Sequence, residues 1–322
     1  MMAMTASTTT DSRRFRRALP DDSQVTRWTS QDGWILRAFD WPVSGRAARG
    51  SILFQGGRGD IIEKYLEAMT HWHDAGWTVG AFDWRGQGGS GRQSRDPRVG
   101  HAASFEPYLD DLAGYWNEWR ARTPGPHVAI GHSMGGHLVL RAITERRIEA
   151  DAAVLVAPML GLRSPVGARA GEAFARMMAR AGDPTRAAWT GHDRPGLLDR
   201  QRLLTADAAR YADEGWWYAA QPDLQLGPPS WAWLVEAFAS TRRQRADPRL
   251  GAIATPLLML VAEADALVHP DAAIAVASRI ATAMVVKFDR ESAHEILREA
   301  DPVRDRALAA IDSFLDDRVP AR

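Results

Sequence analysis

Ser133 stands in the run Gly131-His132-Ser133-Met134-Gly135. A G-x-S-x-G match does chemistry in one backbone setting. A buried strand must turn sharply into a helix and lift the serine hydroxyl clear of the sheet end. The flanks supply that setting: Val128-Ala129-Ile130 is a short apolar, β-prone run, and a helical pattern continues through Leu138-Val139-Leu140. Glycines at 131 and 135 suit a place where strand and helix backbones come too close for a side chain. The N-terminus of the following helix favours negative charge developing beside Ser133. With 27 glycines in 322 residues the motif alone could arise by chance. The strand before it and the helix after it mark it as a nucleophile elbow.

A serine nucleophile needs a base, and the base needs an orienting acid. With an elbow of this kind the chain order is Ser, then Asp or Glu, then His. Asp265 follows the apolar run 257–261, and His294 follows the run 284–288 within Glu291-Ser292-Ala293-His294-Glu295. Both lie where the order demands. Glu263 and Asp271 are the alternatives for the acid. His269 is too near the acid's own loop to be the base, and His132 should point away from the hydroxyl of Ser133. His71, His73 and His192 read as surface or packing residues. An oxyanion site needs two N–H groups: one from Met134, the residue after the nucleophile, the other from a loop after an early strand. Gly57, in Gln55-Gly56-Gly57-Arg58, fits the second role, because a glycine lets backbone approach the substrate.

The elements that would position these residues can be read in outline. Apolar runs at 33–40, 51–55, 78–83, 127–131, 152–156, 257–261 and 284–288 read as strands, and helical periodicity appears at 61–74, 107–120 and 303–315. Strands and helices alternating at these lengths imply an α/β fold with a mainly parallel sheet covered by helices on both faces. Between 160 and 247 no β-rich run occurs. That stretch is rich in Arg, Ala and Trp, with helical patterns at 167–180 and 231–242, and it reads as a helical cap inserted over the carboxyl edge of the sheet. The expected organisation is a disordered tail over 1–26, a core of 27–159 and 248–322, and the cap over 160–247. Two motifs mislead. Gly86-Gln87-Gly88-Gly89-Ser90-Gly91 matches a dinucleotide fingerprint, but a polar, Pro97-containing loop follows where a helix should open. Arg58-Gly59-Asp60 matches the integrin tripeptide by coincidence.

Composition excludes several classes. Zero formal net charge argues against nucleic acid as the partner, and the absence of cysteine removes disulfides, thiol nucleophiles and thiolate metal sites. No apolar run reaches membrane-spanning length, and no apolar segment follows the arginines at 13, 14, 16 and 17, so a cytoplasmic protein is expected. A weak peripheral contact of the basic tail with anionic lipid is one further reading. Nothing in the sequence fixes an oligomeric state.

The chain resembles the α/β-hydrolase superfamily, and within it the lysophospholipase and monoacylglycerol-lipase-like serine hydrolases, often grouped with serine aminopeptidases. The likeness spans residues 32–315. It rests on Gly56-Gly57 with Tyr65 downstream, the 83–90 segment Asp-Trp-Arg-Gly-Gln-Gly-Gly-Ser, the elbow, Ala157-Pro158-Met159-Leu160, Gly227-Pro228-Pro229-Ser230-Trp231, Asp265, and Ala293-His294-Glu295. The family has a histidine before the oxyanion-loop glycine. This chain has Gln55, which is expected to brace the loop by a hydrogen bond. The resemblance implies a Ser-His-Asp carboxylester hydrolase acting on monoacyl lipid esters, with no metal or organic cofactor. Peptidase or acyltransferase activity is the alternative, and a non-catalytic scaffold a third. Tryptophans crowd the insertion; Trp216, Trp217 and Trp231 are the residues expected to line an apolar tunnel for the acyl chain.

Overall fold

One eight-stranded sheet runs through the molecule in the order β1-β2-β4-β3-β5-β6-β7-β8. The strands are β1 (Gln24–Thr29), β2 (Ile35–Trp41), β3 (Gly50–Gln55), β4 (Trp77–Phe82), β5 (His127–His132), β6 (Ala152–Val156), β7 (Leu257–Ala262) and β8 (Ala283–Phe288). β1 and β2 are antiparallel to their neighbours and the rest are parallel. The computed structural model describes residues 16–190 and 200–320.

The central strands are buried on both faces, which is why they read as unbroken apolar runs. Their side chains still alternate. Ile52, Phe54, Val128, Ile130, Val154, Leu258 and Leu260 face one layer, with α1 (Leu66–Asp74) and α9 (Asp301–Arg318) packed on them through Trp72, Ile311 and Phe314. Leu53, Ala129, Leu155 and Met259 face the other layer, where α2 (Glu106–Arg122), α3 (Met134–Thr144) and α8 (Pro270–Ala277) contribute Trp116, Trp119, Leu138 and Val276. Most of the tryptophans are therefore core residues of the sheet layers.

Between β6 and β7 lie α4 (Ala168–Arg180), α5 (Arg200–Leu204), α6 (Ala208–Ala220) and α7 (Trp231–Ala246). Helix α7 is capped by Ser230, whose side chain accepts from the Trp233 N–H. It is more than a lid element. Trp233 and Ala237 join the sheet-side core, Ser240 bonds His137 and Arg141 of the elbow helix, and Gln244 bonds Thr144.

One expectation changes. Residues 1–15 of the expected tail lie outside the described residues, but the rest of it is folded. β1 begins at Gln24, and Arg16 and Arg17 both reach the carboxylate of Asp213, at 3.0 and 2.6 Å. β1 is an exposed edge strand, so it carries no apolar alternation to announce it. Residues 86–91 form a loop that wraps Asp83, whose carboxylate accepts from the Gly89 N–H at 2.8 Å. No helix opens until Glu106, whereas a dinucleotide site would need one directly after the glycines.

Candidate active site

Ser133 sits at the β5–α3 junction with φ 52° and ψ −114°. This is a left-handed, strained conformation for a residue with a side chain. The surroundings hold it there. Its N–H donates to Val156 O at 3.0 Å, and its carbonyl accepts from Met159 at 2.9 Å and His137 at 3.0 Å. A Cβ on Gly131 would lie 2.6 Å from Gly136 N, and one on Gly135 would lie 2.3 Å from Gln55 O. Both glycines are thus required by close backbone approach, on opposite sides of the turn.

The loops after β7 and β8 converge on the serine. Ser133 Oγ is 2.8 Å from His294 Nε2, and His294 Nδ1 is 2.5 Å from Asp265 Oδ2. The other oxygen of Asp265 accepts from the N–H groups of Leu267 (2.8 Å) and Val268 (3.0 Å), and Arg163 Nε holds the Asp265 carbonyl at 2.8 Å. All three side chains are buried, at 8%, 1% and 4% exposure for Ser133, Asp265 and His294. Burial alone would lower the pKa of His294. The charge and hydrogen bond of Asp265, with smaller help from Glu295 and Asp60, outweigh it and raise the imidazole above its ordinary value. The alternatives lie elsewhere. Glu263 pairs with Lys287 at 3.1 Å on the surface, and Asp271 is exposed beside His269. His71 pairs with Asp312 and His73 stacks on Trp41. His192 lies outside the described residues. His132 turns from the hydroxyl toward Tyr65 (2.8 Å) and Asp60 (3.2 Å).

The loop after β3 corrects the sequence reading. Gly57 does approach the serine, since a Cβ there would lie 2.9 Å from Ser133 Cβ. Its N–H, however, donates to Asp60 Oδ2 at 2.6 Å. The next N–H, that of Arg58, has no partner among the described residues. The Met134 N–H is the first of helix α3 and has no acceptor within the helix. Gln55 is not the brace. Its side-chain amide is buried and bonds nothing. Asp60 is what ties the loop down, because it reaches Gly57 N–H, Tyr65 Oη (3.1 Å), His132 and Lys64 Nζ (2.6 Å) together.

Lys64 extends this into a buried charged layer. Its ammonium also meets Glu295 at 2.6 Å and Glu214 at 3.3 Å. Burial opposes ionisation of these carboxylates. The charge of Lys64, joined by Arg200 and Arg298, overrides it and holds Glu214 down at about 2, with Asp60 and Glu295 also below their usual range. The layer links the loop after β3, the loop that carries His294 and helix α6. Helix α5 adds to the link, as Leu203 O accepts from His294 N (3.3 Å) and Leu204 O from Glu295 N (2.7 Å). None of these ties was read from the sequence. A lysine four residues after an aspartate, in the helix start Asp60-Ile61-Ile62-Glu63-Lys64, is the one local signal for them.

A cavity of about 820 Å³ opens on Ser133 and His294. Its walls include Leu162, Phe174, Trp231, Leu234, Phe238 and Leu267. Trp231 is where the tunnel reading put it. Trp216 and Trp217 are not. Trp217 is buried against the α1 side of the core and donates to Arg16 O, and Trp216 packs edge-on against it, 40% exposed. Both sit on α6, whose apolar side packs on the body of the protein away from the cavity.

A mainly parallel eight-stranded sheet with a serine elbow after the central β5 defines an α/β-hydrolase. The family model described as serine aminopeptidase S33 matches residues 46–301, and the chain belongs to that family. Lysophospholipase L2 of Escherichia coli K12 is 33% identical over 233 residues, 69% of this chain and 67% of that protein. Among solved structures, a soluble variant of monoglyceride lipase from Saccharomyces cerevisiae, in complex with a substrate analogue, superposes with a TM-score of 0.75 at 19% identity. The match covers 94% of this chain and 97% of that one. Monoacylglycerol lipase from Paleococcus ferrophilus gives a TM-score of 0.70 at 22% identity over 88% and 99%. The chain is thus a serine hydrolase resembling lysophospholipases and monoacylglycerol lipases. No helix among the described residues is long and apolar enough to cross a membrane.

Proposed function

We propose that this chain hydrolyses the carboxylic ester of monoacyl lipids, with Ser133 as nucleophile, His294 as proton shuttle and Asp265 as the group that orients it. The observation that carries the reading is the hydrogen-bonded series Asp265–His294–Ser133 at the mouth of a large apolar cavity. His294 Nε2 accepts the hydroxyl proton as Ser133 Oγ attacks the ester carbonyl. Asp265 holds the opposite nitrogen protonated and stabilises the imidazolium. The oxyanion is received by the N–H groups of Met134 and Arg58, which are not otherwise engaged among the described residues. His294 then protonates the leaving alcohol, and water repeats the sequence on the acyl-enzyme. The cavity accepts the acyl chain, each buried methylene contributing up to about 0.8 kcal/mol.

The family's description as serine aminopeptidases and the name of the E. coli relative point to different substrates. A peptidase of free N-termini would need a carboxylate available to the substrate amine. The carboxylates that line the cavity, Asp60 and Glu295, are both engaged by Lys64, which favours the ester reading. The test is a panel of monoacyl glycerides, monoacyl glycerophospholipids, triacylglycerols and aminoacyl p-nitroanilides, alongside fluorophosphonate labelling mapped by peptide mass spectrometry. Monoacyl esters should lead and the adduct should sit on Ser133. Preferred cleavage of the anilides, or labelling retained in Ser133→Ala, would overturn the reading.

A further inference from the structure

Beside the acyl cavity lies a second, smaller one of about 360 Å³, walled by Tyr211, Glu214, Tyr218 and residues 225–228. The two share Arg58, Trp189 and Arg200. Among the described residues, Lys64, Arg200 and Arg298 at this junction are matched and Arg58 is not. Lys64, Arg200 and Arg298 are paired with Asp60, Glu214 and Glu295. Arg58 makes no ion pair with any described residue. Its guanidinium lies over the ring of Trp233, 5.3 Å from the centroid, and one terminal nitrogen donates to Gly227 O. Its Nε is sealed from solvent with no acceptor. Burial, opposed by Tyr108 and helped to a lesser degree by the nearby charge of Arg200, brings its pKa down to about 10, so it stays cationic at neutral pH.

A desolvated guanidinium with spare donors is costly to keep unless an anion meets it. Its planar fork suits the oxygens of a phosphate. Its place, between the apolar cavity at Ser133 and a smaller polar one, is where a glycerol backbone would pass from acyl chain to head group. We propose that Arg58 determines specificity for the leaving group: it binds the phosphate of a monoacyl glycerophospholipid whose head group occupies the smaller cavity. The proposal rests on Ser133 being the ester-cleaving nucleophile. It goes further in choosing phosphate-bearing substrates over neutral monoacylglycerols.

The first arm needs no turnover. In full-length Ser133→Ala, equilibrium dissociation constants are measured for two ether analogues, 1-decylglycerol and its phosphoglycerol diester. The diester should bind more tightly. Adding Arg58→Gln should shrink that ratio by about 10- to 150-fold, the range for one hydrogen-bonded charge, and Arg58→Lys by less. The second arm compares kcat/KM on the matching esters with Ser133 present. Any distortion of the oxyanion loop acts on both esters and cancels in their ratio, and the lysine variant separates lost charge from misfolding. A ratio unmoved within about twofold by Arg58→Gln overturns the proposal. So does a loss of binding confined to decanoate, titrated beside the two ether analogues in the first arm, which would assign Arg58 to the released carboxylate. If the ether diester depends on Arg58 while no ester of the panel is cleaved, the nucleophile reading fails and the phosphate site stands.

Discussion

Asp265→Asn changes one atom, and the structure determines which way that atom must point. Asp265 Oδ1 accepts two backbone N–H groups, from Leu267 and Val268, so an amide nitrogen cannot occupy that position. The asparagine must keep its oxygen there and turn its NH₂ toward His294 Nδ1. That nitrogen then faces a donor, and the stable imidazole tautomer carries its proton on Nε2. In that tautomer His294 donates toward Ser133 Oγ and has no lone pair to receive the hydroxyl proton. The expected loss is on the order of 10³- to 10⁴-fold in kcat, or about 4–5 kcal/mol of transition-state stabilisation. The assay is steady-state hydrolysis of p-nitrophenyl decanoate beside fluorophosphonate labelling rates, with thermal melts to establish that the fold is kept. Glu263→Gln is the control, since Glu263 meets only Lys287 at the surface, and it should stay within about twofold of wild type. If Asp265→Asn keeps more than about a tenth of wild-type kcat while melting normally, the tautomer argument is wrong.

The pH profile of kcat/KM should rise through the raised pKa of His294, because the base must be neutral. Its acid limb should therefore lie above the ordinary imidazole value of about 6.5, and a limb at or below that value contradicts the geometry. Lys64→Met should destabilise the fold by about 3–5 kcal/mol in urea titrations, since it strands Asp60, Glu214 and Glu295 without their shared cation. In the native chain the stability from these lowered carboxylate pKa values is present above about pH 4 and is lost as pH falls through them; in Lys64→Met the loss should begin at higher pH. An unchanged urea midpoint would remove the layer from the stability account. Trp231→Ala should cut the decanoyl-over-butyryl advantage in kcat/KM by about tenfold, worth one or two buried methylenes, whereas Trp216→Ala should leave the chain-length profile as it is.

The parts of this molecule that were legible in the sequence are those where one local pattern has one physical meaning. The doubly buried strands are apolar runs because both faces are covered. The elbow is legible because Gly131 and Gly135 are demanded by backbone contacts within a few residues of Ser133. Asp265 and His294 were picked from chain order, each just beyond a late strand, and the structure brings both together with Ser133. The tryptophans of the insertion show the opposite case. Trp216, Trp217 and Trp231 have the same composition signal, yet only Trp231 lines the cavity, because the face a helix turns inward depends on what it packs against. The short polar edge strand β1 and the brief helix α5 carry too little periodicity to be seen.

The oxyanion-side loop shows where residue type stops being informative. Gly57 is the natural choice for close approach, and it does approach, but a neighbour already holds its N–H. Which amide is free depends on Asp60, and Asp60 is held by Lys64 and His132, one in a helix start and the other in the elbow. The tripeptide Arg58-Gly59-Asp60, dismissed as a chance match to a recognition motif, is for that reason the segment on which the site turns. Asp60 takes the Gly57 N–H, the Gly59 N–H bonds Gln87, and among the described residues Arg58 is left with a free amide and a guanidinium without a carboxylate partner. Charge bookkeeping in the sequence cannot reveal this, since the chain is neutral overall. The imbalance at the cavity junction emerges only when, among the described residues, three cations are seen to meet three buried acids and Arg58 meets none.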